Sequence, residues 1–497
     1  MRDWLTIRRE ATPRDLALVD AETAERWTYA ALDADVDVLA GRLQTLGVGP
    51  GDMVGVVMET RPTFVRLLWA VQRLGATLVT FNARLTPAEI ADQRATIEPV
   101  LFVTDRENER TVVTAAERDA SMSSRRTPVV SVNEPTVVST QSLEDTTSGT
   151  VARRAVSLED TVAILFTSGT TGEPKPVRIT AQNVLASAIA SAFRLGVVPD
   201  DRWLLCLPMY HMGGLSIPIR TMVYGTTTVV RRGFDPGAVI RTLEDHSITG
   251  VSLVPTMLRR LLDEDDLPDS LRFALVGGGP TTVELAERAL ERGVPIHPTY
   301  GMTETASQIT TATPSDLEAA PDSVGRPLVG TDLAILDPDG EPTAIGEQGE
   351  IAVAGWTVSP GYWGEDPRPA DDWFRTGDVG YRDEAGRLYV TGRASELIVT
   401  GGENVVPGEV RETILAHRAV EDAVVVGLPD EEWGERVAAL VVTTSTLTGT
   451  DLRSFLEARL AGFKLPRDIR FVDSLPRTPS GTVDREAARS VLRDADA

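Results

Sequence analysis

Cysteine is almost missing: Cys206 stands alone among 497 residues, which excludes an internal disulfide and a cysteine metal cluster. Lysine is nearly as scarce. Only Lys175 and Lys464 occur, so the 49 basic residues are otherwise arginines, set against 73 acidic residues for a net charge of −24. That imbalance opposes nonspecific binding to nucleic acid and to anionic membrane. Long apolar runs are missing too. The longest uncharged stretch, Trp203 to Ile219, is interrupted by Pro208, His211, Gly213, Gly214 and Pro218, so membrane insertion is not expected. The opening Met1-Arg2-Asp3-Trp4 runs into Arg8, Arg9 and Glu10; no secretory leader is expected there, and the expected compartment is the cytoplasm. No internal repeat stands out.

What is present is an alternation of strand and helix patterns in a chain too long for one core, so two or more domains are expected. Leu32, Val36, Leu39, Leu43 and Leu46 form one apolar stripe over 28–47, a helix that Gly47 can end. Residues 54–58 read as strand, 64–74 as helix and 76–80 as strand, the order of a parallel α/β sheet. Residues 105–160 are polar and rich in Ser and Thr, and read as a surface connection without chemistry. The alternation then resumes through strands near 203–207, 250–254, 271–276 and 295–297, with helices at 239–245 and 257–262. From about 324 to 392 short strands and turns predict a small β-rich subdomain. Beyond residue 393, helices at 407–416 and 451–460 alternate with strands at 422–427 and 436–443, a separate α+β domain of roughly a hundred residues.

The stretch richest in chemistry is Thr167-Ser168-Gly169-Thr170-Thr171-Gly172-Glu173-Pro174-Lys175. A buried strand at 162–166 should lead in, and a helix with Leu185, Ile189 and Phe193 on one face should follow. Glycines admit close approach of backbone N–H groups, and hydroxyls and a lysine add donors, which suits a polyanion such as phosphate. The Walker A spacing is absent; the bland alternative is a hydrophilic turn. Further glycine or hydroxyl loops follow other predicted strands: Pro208 to Gly214, Gly277-Gly278-Gly279-Pro280, and Tyr300-Gly301-Met302-Thr303-Glu304. Open α/β sheets bind ligands at such carboxyl ends.

T-S-G-T-T-G-x-P-K at 167, Y-G-M-T-E at 300, W-F-R-T-G-D at 373 and G-R-x-x-E-x-I-x-x-G-G-E-N at 392 occur in that order. Together they resemble the adenylate-forming superfamily of acyl-CoA synthetases, luciferases and peptide-synthetase adenylation domains, over nearly the whole chain. The resemblance implies a large N-terminal domain, 1–392, and a mobile C-terminal domain, 393–497, hinged near Ser395. It implies activation of a carboxylate by Mg-ATP to an acyl-adenylate, then thioester formation with coenzyme A. In those terms Thr167, Ser168, Gly169, Thr170, Thr171, Gly172 and Lys175 cradle the β- and γ-phosphates. Glu304 is the Mg²⁺ ligand, Thr303 donates to the α-phosphate, Tyr300 stacks on adenine, Asp378 accepts the ribose hydroxyls, and Arg393 and Gly278 add nucleotide contacts. His211, Gly277 and Ser307 line the acyl pocket, while Gly401, Gly402 and Glu403 lie by the CoA tunnel. The implied partners are a small carboxylic acid, ATP and CoA, with a homodimer as an allowed assembly. His246, His297 and His417 carry no motif and are taken as structural.

The segments 207–225 and 299–308 are similar to those of o-succinylbenzoate–CoA ligases of menaquinone biosynthesis. Their substrate carries a second, unreacted carboxylate, for which Arg220 is the expected partner, since arginine binds carboxylates bidentately; a structural arginine is the alternative. A ligase for another aryl or medium-chain acid, or a nucleotide-binding pseudoenzyme, are the competing readings. Two departures stand out. Pro176 replaces the glycine usual after the lysine, and Thr482, in P-R-T-P-S-G-T-V-D-R, stands where relatives carry a lysine that bridges acyl carboxylate and α-phosphate. Threonine carries no charge, so either adenylation is slow or another cation, Lys464, Arg477 or Arg485, serves. The acidic, lysine-poor composition also resembles that of proteins from salt-accumulating halophiles, although a GC-rich genome would likewise favour arginine.

Overall fold

The computed structural model describes residues 2–118, 127–167, 174–369, 372–393, 398–400, 403–405, 407–430, 433–457, 459–460, 462–477 and 483–493. The chain divides into two compact units. The first comprises residues 1–333 and 353–374, the second 334–352 and 375–497.

Two sheets organise the first unit. One has nine strands, in the order Arg326–Pro327, Thr310–Thr311, Ile296–Tyr300, Phe273–Val276, Gly250–Leu253, Arg202–Leu205, Thr227–Val230, Leu16–Asp20 and Arg26–Thr28. Six of these, from Ile296–Tyr300 to Leu16–Asp20, run parallel. The other has seven strands: Gln141–Ser142, Val129–Ser131, Leu101–Thr104, Met53–Val57, Thr77–Thr80, Thr161–Thr167 and Lys175–Thr180. Every pairing in it is parallel except the last. Parallel strands buried on both faces explain the continuous Val, Ile and Leu runs. The largest core cluster joins the two sheets through helices Tyr29–Thr45, Pro62–Arg73 and Met212–Tyr224.

The stripe expected over 28–47 is the buried face of helix Tyr29–Thr45, begun by the Thr28 hydroxyl, which accepts from Ala31 N. Residues 105–160, expected to be a surface connection, instead supply helix Glu109–Arg118 and two strands of the seven-stranded sheet. The strands are two and three residues long, too short for a periodic signal. The Glu109 carboxylate ties this region together by accepting from Thr136 N, Val137 N and the Thr136 hydroxyl.

A second correction concerns the hydroxyl-rich loop. It is followed by strand Lys175–Thr180, antiparallel to Thr161–Thr167, and only then by helix Ala181–Leu195. The face of that helix bearing Ile189 and Phe193 points to solvent, with Phe193 78% exposed, while Val184, Ser187, Ala188 and Ser191 are buried. Small residues let this helix lie close to Met212–Tyr224, so helix packing, not side-chain size, chose the buried face.

Strands Thr331–Leu336, Gly349–Gly355, Phe374–Arg382 and Leu388–Arg393, most of whose residues belong to the second unit, follow one another in a four-stranded sheet. A further five-stranded sheet is built on the long pair Val420–Asp430 and Gly434–Thr443. Contacts group 334–352 and 375–392 with the C-terminal residues, and helix Pro407–Leu415 packs closely on strand Leu388–Arg393: a Cβ on Gly408 would sit 2.0 Å from the Thr391 carbonyl oxygen. No helix among the described residues is long and apolar enough to cross a membrane.

Candidate active site

The parallel strands of the nine-stranded sheet deliver the expected loops to one edge. Gly277 continues the ladder from strand Phe273–Val276, its N–H bonded to Leu253 O at 3.1 Å. A Cβ there would meet Thr299 Cγ2 at 2.7 Å, so only glycine permits this approach to the next strand. Gly278 follows with φ of +75°.

Strand Ile296–Tyr300 ends in the tightest turn of the site. A Cβ on Gly301 would lie 1.8 Å from Ser307 O. The chain closes through the 3₁₀ turn Thr303–Thr305 and then Ala306 and Ser307, both at positive φ. Two non-glycine residues in that region mark a conformation held by its surroundings. The Ser187 hydroxyl donates to Ala306 O at 2.7 Å, and Ser359 N donates to Glu304 O at 2.7 Å.

Glu304 thereby faces strand Lys175–Thr180, which packs on the turn. Its Oε1 accepts from the Tyr362 hydroxyl at 3.2 Å, and the Lys175 ammonium lies 5.0 Å from the centre of the same tyrosine ring. Burial and the Glu304 charge both raise the Tyr362 pKa, keeping the phenol a donor. Tyr362 is held by a β-bridge to Val177, and its neighbour Trp363 donates N–H to Pro176 O. Pro176 is tolerated because its strand lies at the sheet edge. The sequence reading overlooked Tyr362. Its signal was the Ser359-Pro360-Gly361-Tyr362-Trp363-Gly364 run, which falls within the expected β-rich part and was given no role.

Glu304's second carboxylate oxygen has no protein partner among the described residues. No group of three or more metal-ligating side chains occurs there either. A lone hard carboxylate near a lysine fits Mg²⁺, which is usually held by one or two carboxylates together with substrate phosphates.

His211 caps helix Met212–Tyr224 and is exposed, edge-on to Tyr210 at 4.9 Å. Desolvation by the surrounding chain, with the Arg84 charge, lowers its pKa, which favours the neutral imidazole. Arg220, on that helix, is only 1% exposed. Its guanidinium lies over the Trp203 ring and donates to Ser187 Oγ at 3.3 Å, while Nε has no partner. Burial lowers its pKa to about 10, so it remains a cation at neutral pH, and no described carboxylate pairs with it.

In the second unit Asp378 and Arg393 face each other across neighbouring strands, with Arg393 Nε 2.7 Å from Asp378 Oδ1. Asp378 is buried and Arg393 about half exposed. Thr167 closes its strand in register with Lys175. Ser168, Gly169, Thr170, Thr171, Gly172, Ser395, Gly401, Gly402 and Thr482 lie outside the described residues; Glu403 begins strand Glu403–Val405. His297 Nδ1 lies 2.9 Å from Pro295 O, His417 packs edge-on to Phe455, and His246 caps helix Pro236–Asp245.

Parallel strands ending in glycine and hydroxyl turns, with a lysine and a carboxylate set around one tyrosine, define an α/β enzyme built for a phosphorylated substrate. The AMP-binding enzyme model matches residues 5–363 and the AMP-binding enzyme C-terminal domain matches 409–482, and the chain belongs to that family. A 2-succinylbenzoate–CoA ligase of Bacillus pumilus is 36% identical over 493 residues, 98% of this chain and 97% of the relative. That of Bacillus mycoides is 35% identical over 501 residues, 99% of each. Among solved structures, o-succinylbenzoate CoA synthetase of Bacillus subtilis bound to the acyl-adenylate intermediate aligns with a TM-score of 0.87 at 32% identity, covering 98% of both chains. The same enzyme with ATP and magnesium ion gives 0.86 at 32%, over 99% of this chain and 100% of that one.

Proposed function

We propose that the protein is an ATP-dependent o-succinylbenzoate–CoA ligase that works through an acyl-adenylate. Full-length similarity to ligases of that name supports the class. The observation that carries the choice of a dicarboxylate is Arg220, a deeply buried guanidinium without a counter-charge. Such a cation is costly unless an anion compensates it, and the second carboxylate of the acid is the anion proposed.

In this reading a carboxylate oxygen attacks the α-phosphorus and the α–β phosphoanhydride bond breaks, releasing pyrophosphate; two anions meet, and fixed donors absorb the developing charge. Lys175, Thr303 and the 167–172 loop bind phosphates, and Asp378 and Arg393 hold the ribose and phosphate end. Bound Mg²⁺ would be held by Glu304 and supply charge neutralisation. The neutral His211 borders the acyl site. The CoA thiol, giving up its proton, then attacks the acyl carbon and displaces AMP, with Gly401, Gly402 and Glu403 beside the CoA tunnel, after the C-terminal domain turns about Ser395.

The test is a panel of acids with ATP, Mg²⁺ and CoA, read as thioester. o-Succinylbenzoate should exceed benzoates and fatty acids in kcat/KM; the reverse ranking rejects the substrate. Arg220→Ala should weaken o-succinylbenzoate selectively, by about 2–5 kcal/mol for a buried charge left unpaired. An equal loss with a monocarboxylate would make Arg220 structural.

A salt-rich cytoplasm and a homodimer complete the proposal. Screening should relieve self-repulsion at a net charge of −24. The unfolding midpoint is therefore expected to rise from low to multimolar KCl, and a flat or falling midpoint would reject the salt adaptation. Sedimentation at those salt concentrations reads the assembly.

A further inference from the structure

Lys175 and Glu304 carry opposite charges and approach the same aromatic ring, yet they form no ion pair with each other. Tyr362 stands between them. Its hydroxyl donates to Glu304 Oε1 at 3.2 Å, and its ring face lies 5.0 Å from the Lys175 ammonium. A cation over a ring is attracted without giving up its N–H donors to a carboxylate. A carboxylate bonded through one oxygen still offers the other to a cation.

We propose that Tyr362 is a positioning residue that keeps Lys175 and Glu304 apart, leaving the ammonium free for phosphate and one Glu304 oxygen free for a divalent cation. This rests on the nucleotide-site reading of those two residues. Without the tyrosine, a flexible lysine beside a carboxylate would close into a direct pair, and both groups would enter the reaction already neutralised. The phenol suits the task for two reasons visible in the fold. Its backbone is bridged to Val177, in the strand that begins with Lys175. The same segment grips the Glu304 turn through Ser359 N and Glu304 O. One side chain thereby positions a lysine from a strand and a carboxylate from a 3₁₀ turn.

Two measurements test it, neither of which needs turnover. The first is Mn²⁺ affinity, by electron paramagnetic resonance, of the full-length protein carrying a non-hydrolysable ATP analogue. Tyr362→Phe keeps the ring and the Val177 bridge and loses only the hydroxyl. It should weaken Mn²⁺ about tenfold, the scale for a group that orients a metal ligand, with an unchanged thermal midpoint. The second uses the scarcity of lysine. Lysine-labelled protein gives side-chain signals from Lys175 and Lys464 alone, and Lys464→Arg assigns them. Glu304→Gln should barely move the Lys175 signal when Tyr362 is present. In Tyr362→Leu, where the pair can form, the same substitution should move it clearly.

Wild-type Mn²⁺ affinity in Tyr362→Phe, with a weakened Glu304→Gln, would overturn the role of Tyr362 alone. Wild-type affinity in Glu304→Gln itself would overturn the nucleotide-site reading and the inference with it. A Lys175 signal equally insensitive to Glu304→Gln in both backgrounds would overturn the separation of charges.

Discussion

Glu304→Gln is expected to lower turnover by about 10²–10³, the cost of removing one preorganised charge from a developing transition state. ATP affinity should fall much less. The substitution keeps the side chain's length and an oxygen that can accept from Tyr362, and the turn is held by backbone bonds, Ser359 N to Glu304 O and Ser307 N to Met302 O. Fold and nucleotide shape recognition therefore survive while the charge is lost. Asp378→Ala should show the opposite pattern, a higher KM for ATP with smaller loss in kcat at saturation, because Asp378 is proposed to hold ribose. It also leaves Arg393 without the partner seen at 2.7 Å. Single-turnover adenylate formation and equilibrium ATP binding separate the two variants. Unchanged turnover of Glu304→Gln at saturating Mg²⁺ would remove Glu304 from the chemistry.

The parts of this site legible in the sequence are those whose chemistry needs a particular residue at a particular spacing. Tyr300 to Glu304 stood out because a turn this tight demands Gly301, whose Cβ would overlap Ser307 O. Helix Tyr29–Thr45 was legible because one leucine-rich stripe meets one core. Strand Lys175–Thr180 was not. Its alternation is short, it contains Pro176, and its existence depends on pairing with Thr161–Thr167, which local pattern does not encode. Tyr362 escaped for the same reason. Glu304 and Lys175 lie far from it in sequence, and the Val177 bridge with the Trp363–Pro176 and Ser359–Glu304 backbone bonds brings the three together. Helix Ala181–Leu195 was legible as a helix but not in its orientation, since its buried face is made of small residues and capped by Thr180 and Asn183.

Arg477→Ala is expected to lower adenylate formation by about 10²–10³, while Thr482→Lys changes it little. The relatives' lysine is missing at Thr482, so an existing cation is proposed to serve, and the pairing of the three candidates separates them. Lys464 binds both oxygens of Glu409, at 2.6 and 2.8 Å, and its departure would strand that carboxylate. Arg485 begins helix Arg485–Arg493. Arg477 is about half exposed and pairs with Asp422 Oδ2 at 2.8 Å, but Asp422 is also held by Arg411 at 2.9 Å. Asp422 would therefore stay neutralised if Arg477 left for the substrate, whereas release of Lys464 would leave Glu409 without its two bonds. Arg477 also forms a β-bridge with Val483. CoA thioesterification from preformed adenylate should be nearly unaffected in Arg477→Ala, because the family uses this loop only in the adenylating arrangement. Single-turnover rates of both half-reactions for Arg477→Ala, Lys464→Ala, Arg485→Ala and Thr482→Lys decide the matter. A large acceleration in Thr482→Lys would mean that no stand-in operates and that adenylation is limited by the missing charge. A loss confined to Lys464→Ala or Arg485→Ala would move the role to that residue and show that the Asp422 pairing does not govern which cation is released.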